Sequence, residues 1–448
     1  VWRFGVTLLT HMVLRRLVGA ENWGLYHWAV DTVFQLLPQL RDLGVPAQMV
    51  RASQRPWRLY LQLQVGVGLV LGAAIWFAAP RIAALYPGGG EVMVDILRFL
   101  VVFLVLDGIA KVPVTYFETE LELGRTVVPE LLRNLTYAAV AITLAVQGWE
   151  IWALLVAHVA AAGVYAVALW WRVWPVLPRG EGQLWPLLVK SLPLMVMAFT
   201  LLAIEWVDFA LLGLVADPET VGLYGGALRL ALLCALVIEL PIRRALYPAF
   251  VAVREDPVRV FEVYRLSTLV LLAIQAPFAA ILLVEPTTLL TWAWGAEYAA
   301  AAPYLRWLAL VPLVQPFHRC VEDVLLARHE ERFLIAAALA TLSTIVGVGW
   351  LLAVQVGPVG VAIAKLLPLG SLLTAWAVWR VDRAAFGRLA RELALLYLVV
   401  ALAFAPVAML LPPGVGRLVA AGCTAALVLA WSWRRWGGEL GRFFGRDG

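Results

Sequence analysis

Long apolar runs alternate with short polar breaks along the whole chain. Each run is about as long as a helix needs to cross hydrocarbon, roughly 20 residues. Fourteen are predicted, at residues 1–17, 24–43, 59–79, 92–114, 127–146, 150–173, 187–214, 222–246, 264–284, 302–321, 333–354, 359–379, 393–411 and 416–433. Inside a bilayer every backbone N–H and C=O needs a partner within the protein. Runs of this length are therefore helices, since barrel strands are shorter and alternate in polarity. The predicted fold class is an all-α integral membrane protein with about fourteen transmembrane helices. The first run begins at Val1, which reads as a GTG start or as missing N-terminal residues. No charged segment leads an apolar run to a small-residue cleavage site, so no cleavable signal peptide is expected.

Composition agrees with the pattern. Apolar residues make up 63% of the chain and charged residues 15%, with a mean hydropathy of +0.86, too little charge to clothe a soluble domain. The cations cluster: 26 of the 35 Lys and Arg lie in the junctions after even-numbered spans or in the tail. Odd-numbered junctions such as Gln147-Gly148-Trp149-Glu150 and Gln355-Val356-Gly357-Pro358 carry none. By the positive-inside rule the even junctions and both termini face the cytoplasm of a bacterial or archaeal plasma (inner) membrane. Arg15-Arg16, after span 1, is the exception. The net charge of +5 follows from these loops, and no basic soluble face points to nucleic acid. Trp23, Trp57, Trp149, Trp292 and Trp436 lie near span ends, where headgroup anchoring is expected. Cys234, Cys320 and Cys423 have no metal or disulfide spacing.

The chain also repeats itself. Gly24-Leu25-Tyr26 matches Gly222-Leu223-Tyr224 at an offset of 198. Leu97-Arg98-Phe99-Leu100 matches Leu305-Arg306-Trp307-Leu308, and Trp171-Arg172 matches Trp379-Arg380, both at 208. Six duplicated spans point the same way through the membrane, as parallel repeats around a shared cavity. The expected domains are an N-terminal lobe at 1–183, a C-terminal lobe at 184–391, and two further spans with a tail at 392–448.

Arg16-Leu17-Val18-Gly19-Ala20-Glu21-Asn22-Trp23-Gly24-Leu25-Tyr26 resembles the signature that follows the first span of polysaccharide flippases. Asp42-Leu43-Gly44, Trp152-Ala153-Leu154-Leu155, the Gly295–Leu305 segment and Gly357-Pro358-Val359-Gly360-Val361-Ala362 are similar to later motifs of that family, in the right order. The chain thus resembles the O-antigen and exopolysaccharide flippases of the multidrug/oligosaccharidyl-lipid/polysaccharide exporter superfamily. The resemblance implies two lobes, no enzymatic activity and no cofactor. It implies a substrate, an undecaprenyl-pyrophosphate-linked oligosaccharide moved from inner to outer leaflet, and a polysaccharide polymerase and glycosyltransferases as partners beside the membrane lipids. Trp23 stands where Phe or Tyr is commoner, and span 1 is short.

Ionisable residues within spans are the functional candidates, because a charge at the bilayer centre costs at least about 2.5–3.5 kcal/mol. Arg3, Arg229, Arg306 and Lys365 are expected to bind pyrophosphate or sugar, as forks and a point charge in a dry cavity. Snorkelling competes for Arg3 and Arg306, which lie near span ends. Asp31, Glu205 and Asp208 are the candidates for H⁺ or Na⁺ coupling. Glu205 and Asp208 share a face, and their mutual repulsion lets one hold a proton readily. The i,i+4 spacings Asp107/Lys111, Glu239/Arg243 and Arg319/Asp323 predict local ion pairs. No catalytic residue or metal site is predicted. The alternatives are a multidrug/cation antiporter with an acidic cavity, a lipid II-type precursor flippase, and a polytopic glycosyltransferase or polymerase. The last of these lacks a large outer loop or nucleophile motif here.

Overall fold

The computed structural model describes every residue except 1, 53, 175–179, 181, 234–236, 238, 329–330, 367–382 and 445–448. Among the described residues every regular element is a helix. Packing divides the chain into two units, Val1–Gly225 and Gly226–Gly448.

The first unit contains α1 (Trp2–Val18), α2 (Ala20–Tyr26), a π-helical segment (His27–Phe34), α3 (Leu36–Asp42), α4 (Val45–Arg51), α5 (Trp57–Ala83), α6 (Gly90–Thr119), α7 (Val127–Val146), α8 (Glu150–Val173), α9 (Leu184–Val215) and the start of α10 (Pro218–Ala231). Here α5 packs on α6, α7 on α8, and α6 on α8. Ala110, Phe117, Tyr165 and Leu169 fill the α6–α8 seam, and the Trp170 indole donates to the Ile109 carbonyl at 2.9 Å. The N-terminal half of α9 docks on the α3–α4 turn, where the Ser191 hydroxyl donates to the Leu43 carbonyl at 2.6 Å. At about 1.5 Å per residue, the 32 residues of α9 exceed the roughly 30 Å of a hydrocarbon core.

The second unit contains the rest of α10, α11 (Leu240–Val253), α12 (Pro257–Val284), α13 (Pro286–Trp294), α14 (Ala302–Leu308), α15 (Val311–Ala327), α16 (Glu331–Val356), α17 (Pro358–Ala364), α18 (Arg383–Leu410) and α19 (Val415–Phe444). Its hub is α12, which packs on α11, α15, α18 and α19. Two polar ties pin the ends of this hub. Arg265 bridges Glu262, Glu392 and Glu439 at 2.5–2.7 Å. Glu285 accepts from the Gly414 N–H at 3.1 Å and lies 3.6 Å from Arg417.

Among the described residues eight helices are long and apolar enough to cross a membrane. Their outer faces expose Val70, Phe77, Trp171, Leu402 and Leu427, as a lipid-facing surface does. The predicted span 24–43 is instead interrupted, as α2, the π turn and α3, and 302–321 by the Ala309-Leu310 turn between α14 and α15; part of 222–246, between α10 and α11, lies outside the described residues. Most of the predicted span 359–379 lies outside the described residues. The count of fourteen therefore rests on the sequence alone. The tryptophans also divide. Trp149 and Trp292 are exposed as expected, but Trp23, Trp57 and Trp436 are packed inside. Proximity to a span end did not decide their role, because neighbouring helices cover them.

Candidate functional site

The broken span at the start of the chain gathers the densest polar cluster. The π turn from His27 to Phe34 widens the helix, a distortion common at functional sites. It brings His27 Nδ1 within 2.6 Å of Asp31 Oδ2. On the other side of the ring, Arg15 Nη2 of α1 lies 2.9 Å from His27 Nε2. Arg15 Nη1 also donates to the Gly222 carbonyl of α10 at 3.4 Å. All three side chains are buried. Aromatic rings wall them in: Trp23 lies under the Arg15 guanidinium at 4.6 Å and Phe209 of α9 stacks on His27 at 5.0 Å. The Tyr26 hydroxyl reaches His158 of α8 at 3.2 Å.

Beside this cluster the two copies of the Gly-Leu-Tyr repeat meet. A Cβ on Gly24 would overlap the Pro218 carbonyl, and a Cβ on Gly222 would overlap the Ala20 carbonyl. The contact is reciprocal, because Ala20 and Pro218 stand 198 positions apart, as Gly24 and Gly222 do. Such exchange of equivalent residues is the mark of a two-fold contact. Only glycine permits so close a backbone approach.

The predicted coupling residues separate. Asp31 is buried in the relay and Asp208 is buried, accepting from the Tyr224 hydroxyl at 2.7 Å. Glu205 is exposed on the same helix. Of the predicted substrate-binding cations, Arg229 and Lys365 are half-buried and Arg306 is exposed. Arg3 lies on α1, with its side chain outside the described residues.

For Asp107, Lys111, Glu239 and Arg243 the expected i,i+4 pairs give way to contacts between helices, while Arg319 takes an i,i+3 partner on its own helix. Asp107 pairs with Arg41 at 2.9 Å, and Lys111 lies 3.5 Å from Asp42. Glu239 accepts from Gln275 at 2.8 Å, while Arg243 takes Asp323 at 2.7 Å. Arg319 lies 3.4 Å from Glu322. A local pair on an open helix contributes only about 0.2–0.5 kcal/mol, and a buried charge-assisted bond contributes more. Sequence reading missed His27, Arg15 and Arg41. The signals were present: His27 stands four residues before Asp31, and Arg15 broke the topology rule. Arg15 is buried and is not a loop cation, while Arg16 beside it is exposed and stands as the exception.

In the second unit an apolar cavity of about 650 Å³ opens among α12, α15, the α14–α15 turn and α18. Ala276, Ala280, Phe317, Val400, Phe404 and Ala405 are among the residues lining it. Tyr397, which also faces it, donates its hydroxyl to the Leu313 carbonyl at 2.9 Å.

Long apolar helices, with one span widened into a π turn around buried His27 and Asp31, define a polytopic membrane protein with a transporter fold. The solved lipid II flippase MurJ, in an inward closed conformation, shares this fold with a TM-score of 0.77 at 10% identity, covering 98% of both chains. An inward-facing multidrug resistance MATE family transporter of the MOP superfamily gives 0.64 at 14% identity, covering 87% of this chain and 96% of that one. The chain itself belongs to the polysaccharide biosynthesis protein family, whose sequence model matches residues 13–303. It is 24% identical over 326 residues to the succinoglycan biosynthesis transport protein ExoT of Rhizobium meliloti (strain 1021), covering 68% of this chain. The match spans 63% of that relative's length.

Proposed function

We propose that this protein is a flippase moving a lipid-linked oligosaccharide from the inner to the outer leaflet by alternating access. The observation that carries the reading is the buried cluster of Arg15, His27 and Asp31 at the π turn of an interrupted span, in a member of a polysaccharide biosynthesis family with a transporter fold. Broken helices at membrane depth are tolerated where they line protein or a watery cavity, and that is where substrate binds in transporters. The succinoglycan transport relative favours an exopolysaccharide or O-antigen unit over a drug cation.

In this reading the repeats are 1–183 and 184–391, with 392–448 appended. Arg229 and Lys365, with Arg3 and Arg306 nearer the rims, meet the pyrophosphate and sugar; Asp31, Glu205 and Asp208 supply ion coupling. The even junctions and both termini face the cytoplasm of the inner membrane, where glycosyltransferases deliver the substrate, and a polymerase receives it outside. The apolar cavity of the second unit seats part of the polyprenyl tail, whose hydrocarbon matches its lining.

The test is flipping of a fluorescent polyprenyl-pyrophosphate oligosaccharide in proteoliposomes, read by access of an external glycosidase. Arg229→Ala with Lys365→Ala should slow flipping about tenfold or more, because each lost charge-assisted bond is worth roughly 1.5–3 kcal/mol. Ala280→Phe should slow a full-length carrier more than a short-chain one. Wild-type protein that leaves the oligosaccharide on its original side overturns the proposal.

A further inference from the structure

The relay fixes its own protonation state by geometry. A guanidinium only donates, so His27 Nε2, 2.9 Å from Arg15, must accept. The ring is then neutral, and its single N–H, on Nδ1, points to Asp31 at 2.6 Å. A proton arriving on Nε2 would set two donors face to face, and the Arg15 bond would break. Arg15 is also the side chain that reaches from α1 to the Gly222 carbonyl. That carbonyl belongs to the glycine whose backbone presses on Ala20 and Gly24. Beside that backbone approach the His27 ring itself lies against Gly225 of α10, so the ring and the Arg15 tie meet the same helix.

We propose that His27 and Asp31 form a proton-binding site whose loading releases Arg15 from α10 and unlocks the contact between the two Gly-Leu-Tyr segments. One proton is taken up, on His27 Nε2, where Asp31 on the other ring nitrogen stabilises the charged ring, and no other group is consumed. Full burial suits the role, because a coupling site must be open to water in one state and closed in another. The groups that set its field come from every element around it: His11 and Arg15 on α1, Tyr26 on α2, Asp208 on α9, Tyr224 on α10 and His158 on α8. The proposal rests on the flippase reading only for its consequence in transport; the proton site stands on the geometry.

The experiment uses full-length protein in lipid nanodiscs, labelled with ¹⁵N-histidine. The His27 signals, identified by their loss in His27→Gln, should show one protonated and one bare ring nitrogen at neutral pH. On acidification the bare nitrogen should protonate. Backbone hydrogen exchange at residues 18–27 and 218–226 should rise together with that step, and stay flat in His27→Gln and in the isosteric Asp31→Asn. In proteoliposomes the same two variants should lose the response of flipping to an imposed pH gradient. If His27 does not titrate, or exchange rises equally in wild type and variants, the proton latch is wrong. If wild type does not flip the oligosaccharide at all, the flippase reading fails, while the resonance and exchange data still decide the latch.

Discussion

Two arginines in the two units stand in matching places and are held differently. Arg41 follows Leu37-Pro38 on α3, and Arg243 follows Leu240-Pro241 on α11. Each donates to a backbone carbonyl of another helix, Leu104 on α6 for Arg41 and Arg319 on α15 for Arg243, and each pairs with an aspartate nearby, Asp107 or Asp323. Each sits in a network of two cations and two anions: Arg41 and Lys111 with Asp42 and Asp107, Arg243 and Arg319 with Glu322 and Asp323. The division of charge differs. In the first unit α3 and α6 each contribute one cation and one anion, so each helix is neutral on its own. In the second unit α15 contributes three of the four charges and α11 only Arg243. Parting α11 from α15 exposes unbalanced charge, whereas parting α3 from α6 forfeits hydrogen bonds. Arg41 additionally takes Gln64 of α5 at 2.8 Å, so one guanidinium ties three helices.

The largest effect should come from Arg41→Ala. Its side chain is fully buried, and truncation strands Asp42 and Asp107 with Lys111 as the remaining cation of the network. Breaking a buried pair from one side costs roughly 3–5 kcal/mol. Thermal unfolding in detergent should show a first unit that no longer folds cooperatively. A midpoint within a few degrees of wild type would mean that water reaches the site and carries the charge.

Arg243→Ala should cost less. The side chain is 17% exposed and Arg319 remains near Glu322, so the loss is about that of charge-assisted hydrogen bonds, roughly 1.5–3 kcal/mol. Because α11 then carries no partner for α15, the effect should be concentrated there. Hydrogen exchange along 240–253 should rise while α5 and α6 stay protected. Equal losses for Arg41→Ala and Arg243→Ala would erase the distinction between the two networks.

The sequence carried the coarse architecture because bilayer solvation is a strong and local constraint. Apolar run length needs no tertiary knowledge. Partner choice did need it. Asp107 and Lys111 have the spacing of an i,i+4 pair, yet the buried cation from α3 outcompetes the helical neighbour. The interruptions of spans 2 and 10 were equally hidden, since apolar content shows where a helix lies but not where its turns widen or interrupt. Pro38 and Pro312 lie close to them, without fixing where they fall. The repeat was legible as an offset, but its consequence was not. That Gly24 and Gly222 touch each other follows only from the packing. Of the relay, Asp31 was visible as an expensive charge; His27 was hidden because a neutral ring between two partners leaves no charge pattern.

The smallest effect sharpens the comparison from below. Arg55 and Glu120 lie 3.0 Å apart, linking the entry to α5 with the end of α6, the two helices that Arg41 ties further in. Their side chains are 29% and 42% exposed. Water and salt screen such a pair, and ordering two long side chains offsets much of the attraction, so it is worth about 0–1 kcal/mol. Glu120→Gln keeps the shape and removes the charge, and Arg55 keeps its bond to the Ala52 carbonyl at 3.0 Å. The variant should therefore unfold within a degree or two of wild type, a shift on the order of what less than 1 kcal/mol produces in a chain this long. That small shift should vanish in high salt, while the Arg41→Ala defect should persist, because burial shields the inner network from screening. A salt-insensitive loss at Glu120 comparable to that at Arg41 would show that the pair is sequestered from water, and that depth in the helix bundle is not what ranks these contacts.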